Sequence, residues 1–229
     1  MLVRAITLAA PFAAMGLGLG LAPVEAQDEP RVAVLDFSSF MMGEGGQSVN
    51  LGKALSAMLV TEFSGREGMQ VIERQQINAL LDEQDLCSSG RAACSEAESL
   101  EIGRLLGLQY VLLGQITSIV DNLRMDIRAV DVETSEIVTV HKKSGRTTDL
   151  FSIVVDLADD FSAQLHLVPS SERAEIEEIP VAATIEFSRA LDFEDRGEID
   201  QAIRHYEATL EIHANHRDAR RALERLRGG

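Results

Sequence analysis

Positive charge is scarce in this chain. Its 229 residues include 21 Lys and Arg against 37 Asp and Glu, a formal net charge of -16. So acidic a surface repels polyphosphate backbones and anionic lipid, which excludes nucleic acid as a partner and suits solubility instead. Cysteine is scarcer still, at two residues, and the first of them is Cys87. A leader without cysteine has no place for the thioether lipid of a lipoprotein, so no lipid anchor is expected. After the first 26 residues no apolar run has the length of a membrane-spanning helix. Catalytic signatures are missing too. No GxSxG elbow occurs, and neither cysteine has an evident His partner. Asp159-Asp160 and Glu177-Glu178 are adjacent in sequence, so their carboxylates diverge on a helix.

The N-terminus differs in kind. Arg4 is the single charge before a mostly apolar run from Ala5 to Ala22, and Val24-Glu25-Ala26 follows as a small-residue cleavage site. This pattern predicts a secretory signal peptide over 1–26, removed on export; an uncleaved anchor is the alternative. An oxidising compartment gives meaning to Cys87 and Cys94, which flank a bendable Ser- and Gly-containing loop in DLCSSGRAACSEAE. We expect a disulfide between them. A loop this short would add about 2–3 kcal/mol in the chain-entropy view. The spacing is not CxxC, and no nearby His completes a metal set.

Beyond the leader, hydrophobic periodicity alternates between strand and helix. Arg31 to Phe37 reads as a buried strand, and Ser38 to Val49 as a loop. Leu51, Ala54, Leu55, Met58, Leu59 and Phe63 form a helical stripe. Met69 to Ile72 is a short strand, Glu73 begins a helix, and Ser95 caps the helix that Gly107 closes. Tyr110 to Ile119 is a strand. Leu123, Met125, Ile127 and Ala129 alternate with Arg124, Asp126 and Arg128, as in a half-exposed strand. Ile137 to Arg146 completes a hairpin, and Leu150 to Leu165 is helical. Early strands joined through helices should be parallel and the late hairpin antiparallel. The expected fold class is α/β, a mixed parallel and antiparallel sheet with packed helices.

Residues 27–168 form that domain, 169–180 a linker, and 181–229 a small all-α tail. In the tail Ala190, Phe193, Gly197, Ala202, Tyr206 and Leu210 have the spacing of one tetratricopeptide repeat (TPR). Glu186, Thr209 and Ala214 depart from its consensus. A single repeat leaves an apolar face uncovered, so the tail should dock on its own α/β domain or on another chain. These six residues are the candidate protein-binding positions. His205, His213 and His216 read as solvated tail residues, not as metal ligands.

One segment resembles a phosphate loop, with Gly43-Glu44-Gly45-Gly46 before Gly52-Lys53. The glycine spacing is wrong for Walker A, Ala54 stands where a hydroxyl must bind magnesium, and Glu44 repels phosphate. No nucleotide, cofactor or metal is expected, and no catalytic residue.

Three ordered motifs carry a family resemblance: VAVLDF at Val32–Phe37, VIERQQINALLDEQ at Val71–Gln84, and GRLLGLQYVLLGQI at Gly103–Ile116. From about Arg31 to Leu167 the chain resembles the CsgG/HfaB family of curli-type secretion components. The resemblance implies a non-enzymatic exported envelope protein in assembly or secretion, or a protein-binding adaptor, located in the periplasm or at the outer membrane. Its partners would be other envelope proteins, and a homo-oligomer is compatible with it. It leaves two alternatives, a curli-type outer-membrane channel subunit and an LpoB-like activator of a cell-wall synthase. The channel requires lipid-facing hairpins, with about 9–11 residues per strand and alternating apolar faces. Strands from Tyr110 to Arg146 are joined by turns of only a few residues, which leaves little room for such hairpins.

Overall fold

The computed structural model describes residues 29–42, 51–72, 74–84, 94–119, 121–165 and 178–228. The predicted leader, the Gly43–Gly46 segment, Cys87 and most of the predicted linker lie outside these residues.

The polypeptide is an α/β protein with a mixed sheet, as its periodicity predicts. Strands β1 (Arg31–Val34) and β2 (Ser38–Met42) precede helix α1 (Gly52–Ser64). Then follow β3 (Gln70–Val71), α2 (Arg74–Gln84), α3 (Glu96–Leu106), β4 (Tyr110–Ile119), β5 (Asn122–Asp131), β6 (Ile137–Arg146) and α4 (Leu150–Gln164). The order across the sheet is β3-β1-β4-β5-β6, with β2 also on β4. β1 pairs in parallel with β3 and β4, while β4–β5 and β5–β6 are antiparallel.

The expected loop after β1 is in part a strand. β4 is ten residues long, and β1 pairs with its first part only, Tyr110 to Leu112. The chain then kinks at Leu35–Phe37 and rejoins β4 as β2, with Ser38 opposite Gln115 and Met42 opposite Ile119. The kink swings Phe37 inward over Gly114, where a Cβ would sit 2.3 Å from the ring. Only a residue without a side chain permits that approach.

The main core lies on one face of the sheet. Leu112, Ile116, Leu123, Met125, Ile127 and Ala129 meet Leu55, Met58, Leu59 and Phe63 of α1, and Ile153, Val154, Leu157 and Phe161 of α4. Phe63 and Phe161 bring the two helices together with ring centroids 5.3 Å apart. On the other face the described residues cover the parallel half, where α2 and α3 bury Ala33, Leu35, Ile77, Ile102 and Val111. α3 is fixed there by a capping box. Ser95 Oγ accepts from the Glu98 N–H, and Glu98 Oε2 accepts from the Ser95 N–H at 2.8 Å. This pairing satisfies two otherwise orphaned donors and confirms Ser95 as the cap.

Three helices close the chain: α5 (Val181–Asp195), α6 (Ile199–Ile212) and α7 (Arg217–Gly228). Gly197 makes the turn between the first two with φ +71°, a left-handed conformation natural to glycine.

Candidate functional site

Two surfaces concentrate the side chains that neither core uses, and both lie against α1 or the sheet.

The first is the seat of the helical tail. Ala190 and Ala202 are fully buried and let α5 and α6 approach closely, with Tyr206 beneath them, also at 0% exposure. The Tyr206 hydroxyl donates to Glu194 at 2.6 Å, so its burial leaves no polar atom stranded. Phe193 and Leu210 are only partly buried at the edge of this cluster. Phe193 stacks on His205 with centroids 5.0 Å apart, and the Arg196 guanidinium covers it at 4.6 Å. The cluster does not close on itself. It extends onto α1 through Ala54 and Ala57, so the tail docks on its own α/β domain.

Polar contacts fix that seat. Lys53 Nζ bonds Asp192 at 2.9 Å and Asp195 at 2.6 Å, while Asn78 of α2 donates to the same Asp195 at 2.9 Å. Thr61 donates to Asp218 at 2.6 Å, and Arg217 pairs with Glu62 at 2.8 Å. Burial pulls the Lys53 ammonium down, but the two aspartates more than offset it, so its pKa lies above the ordinary 10.5. The lysine that superficially ended a phosphate loop is thus a tether for the tail.

The tail histidines are not uniformly solvated. His205 bonds Glu186 at 2.6 Å. His216 is buried at 1% exposure, packs 4.6 Å from Phe187, and accepts the Ala219 N–H on Nδ1, which caps α7. Sequence reasoning missed this because an isolated His before a helix carries no periodic signal. Burial, then the neighbouring His213 and Arg217, lower its pKa from 6.5 to about 4. The unfolded chain therefore binds more protons than the fold between those values. His216 makes the tail lose stability as pH falls from about 6.5 to about 4, on the order of 3 kcal/mol. Asp218 acts oppositely. Burial raises its pKa above 3.8, so the stability it contributes at low pH is lost as pH rises above that ordinary value. His216→Asn keeps a capping acceptor and removes the titration. Circular dichroism melts from pH 7 to 4 should show an acid-dependent loss in the wild type that this variant lacks.

The second surface is the bare half of the sheet. Residues opposite one another in register share a face. Leu113, Arg128 and Val140 form one row, Gln115, Asp126 and Lys142 the next, and Thr117, Arg124 and Ser144 a third. Between these rows and the start of α3 lies a cavity of about 690 Å³. Arg124 grips Asp126 through two bonds of 2.8 and 2.9 Å, and Arg128 reaches Glu96 at 2.7 Å. Ile137 and Val140 of the cavity's lining remain about half exposed, at 51% and 49%, and so do Phe40 and Ile119 of the sheet, both at 54%. Among the described residues no group of three or more His, Cys, Asp or Glu is placed to hold a metal ion.

Cys94 lies just before the Ser95 cap, and Cys87 lies outside the described residues. The expected bond between them is checked by mass. Protein purified without reduction should weigh two hydrogens less than the dithiol and resist alkylation.

Residues 17–119 match the family described as curli production assembly/transport component CsgG. The match includes all three motifs and ends with β4, so β5, β6, α4 and the tail lie beyond it. No curated protein matches the chain. Among solved structures, the LpoB C-terminal domain from Salmonella enterica is 17% identical, covering 52% of this chain and 84% of that one, with a TM-score of 0.43. Lipoprotein GNA1162 from Neisseria meningitidis is 14% identical over 58% of this chain and 96% of that one, at 0.42. The PelC dodecamer from Paraburkholderia phytofirmans is 12% identical over 62% and 89%, at 0.38. No helix among the described residues is long and apolar enough to cross a membrane.

Proposed function

We propose that this chain is an exported envelope protein of CsgG type that performs no catalysis and works by binding other envelope proteins. The α/β domain is the binding platform, and the TPR-like tail is a module seated on it. The observation that carries this reading is the division of the sheet. One face is sealed by α1 and α4. Among the described residues nothing covers half of the other face, which mixes exposed apolar residues with charges, Arg124, Asp126 and Arg128 of them ion-paired. Such a mixture is what protein interfaces present. It does not resemble a lipid-facing band, because Arg124, Asp126, Arg128 and Lys142 occupy the outward positions that a membrane hairpin fills with apolar groups. The family match supports the envelope setting.

The test is crosslinking in the native envelope followed by recovery of the tagged chain, together with fractionation. The reading expects defined protein partners, a fraction released without detergent, and loss of the partners on Arg128→Glu with the fold intact. Extraction by detergent alone would favour the channel subunit, and measurable turnover in a broad hydrolase and nucleotide screen would favour an enzyme.

A further inference from the structure

We infer that the outer edge of β6 accepts an extended, acidic segment of a partner protein as an added strand. The inference rests on the protein-binding reading above and names the edge and the chemistry of the occupant.

β6 is ten residues long and, among the described residues, pairs on one side only, with β5. Its other side offers the backbone donors and acceptors that strand addition uses. Its sequence, IVTVHKKSGR, contains His141, Lys142, Lys143 and Arg146 and no acidic residue, in a chain of net charge -16. The acids that balance these cations all lie inboard. Asp126 of β5 stands opposite Lys142 in register. Asp160 of α4 faces Lys143 at 2.9 Å and His141 at 3.9 Å, and Asp156 acts on Lys143 from the same helix. Asp149 pairs with Arg146.

Charge therefore reverses from β5 to β6 where Asp126 stands opposite Lys142. The row Gln115, Asp126, Lys142 ends on a cation, and among the described residues no strand lies beyond it. Cross-strand neighbours of opposite charge stabilise and like charges destabilise, so an acidic residue fits the position beyond Lys142. Ile137, Val138 and Val140, exposed at 51%, 42% and 49%, supply apolar contacts for the side chains between. A second copy of the same strand fits poorly. Full antiparallel pairing of two β6 strands sets His141 against Lys142 and gathers the lysines of both copies at the centre, with no acid in either strand. Lysines placed this way are a common device against edge-to-edge self-association.

The probe is a synthetic peptide of about eight residues with alternating Glu and Val and blocked ends. The readout is hydrogen exchange at the outward-facing β6 amides of the full chain. At saturating peptide these amides should exchange at least about tenfold more slowly. Lys142→Gln should weaken the peptide several-fold, as should high salt. Methylating alternate peptide nitrogens should abolish the protection. The inference is overturned if the acidic peptide leaves exchange unchanged at millimolar concentration, or if a Lys-Val peptide protects equally. It is also overturned if the free monomer already protects these amides, if protection appears on concentrating the protein alone, or if anionic vesicles protect them and the peptide does not. Envelope partners that survive in crosslinking while the peptide fails would retain the binding function and reject this edge alone.

Discussion

Gly114→Ala should destabilise the α/β domain severely, and replacing Phe37 as well should restore part of the loss. A Cβ on residue 114 would lie 2.3 Å from Phe37 Cδ1, with two further ring carbons at 2.5 and 2.6 Å. No rotamer of alanine relieves this, because a methyl has none. The strain must move the ring or the strand. Phe37 is 1% exposed and belongs to the main core, so the ring has no free volume to enter. Overpacking of this kind costs about 1–3 kcal/mol and more where backbone is involved. Phe37→Ala alone opens a cavity and should cost about 3–5 kcal/mol. In the double variant the new methyl projects into the space that the ring vacates. The combined loss should therefore be clearly smaller than the sum of the single losses, by on the order of 1 kcal/mol or more. Urea denaturation of all four proteins measures the coupling. Additive losses would mean that the two residues do not share this space.

The same contact shows what the sequence revealed and what it concealed. Strand and helix order, parallel pairing early and antiparallel pairing late, the Ser95 cap and the charged outer face of β5 are all consequences of local period or local capping chemistry. Each can be read within a window of a few residues. β2 was concealed because Ser38 to Met42 neither alternates nor carries β-branched residues. It is a strand because β4 extends past β1 and holds it there. Lys53 was concealed for a different reason. Next to Gly52 it mimics a phosphate ligand, while its carboxylate partners lie 139 and 142 positions away. The small and aromatic tail residues Ala190, Ala202 and Tyr206 announced close helix packing. The surface that receives them did not, because Ala54 reads in sequence as part of the one apolar stripe of α1, whereas it packs with the tail, and Ala57 carries no signal. Long-range ion pairs and the second buried face of a helix have no periodic signature.

Ala202→Arg tests whether that tail is a separable docked module. Ala202 is fully buried where α5, α6 and α7 meet, in a cluster with Phe187, Ala190, Tyr206, Ala219 and Leu223. An arginine there must either bury a guanidinium without a carboxylate or push the helices apart. Both routes cost on the order of 4 kcal/mol, a large share of what so small a helical unit gains by folding. Separation of the helices also strips Ala54 of its cover and draws Asp192 and Asp195 away from Lys53. The main core should outlast this change. It is built from the sheet, α1 and α4, and the chain beyond 178 adds to it only Ile179 and Ile185 at its margin. The expected result is a biphasic melt, with early loss of helical signal and rapid proteolysis after about residue 180, above a core that unfolds near the wild-type temperature. Wild-type protease resistance of the tail would show that its seat tolerates a buried charge and that the helices are not held by this packing. A single transition shifted downward as one would show that α1, pressed between the sheet and the tail, joins both into one cooperative unit.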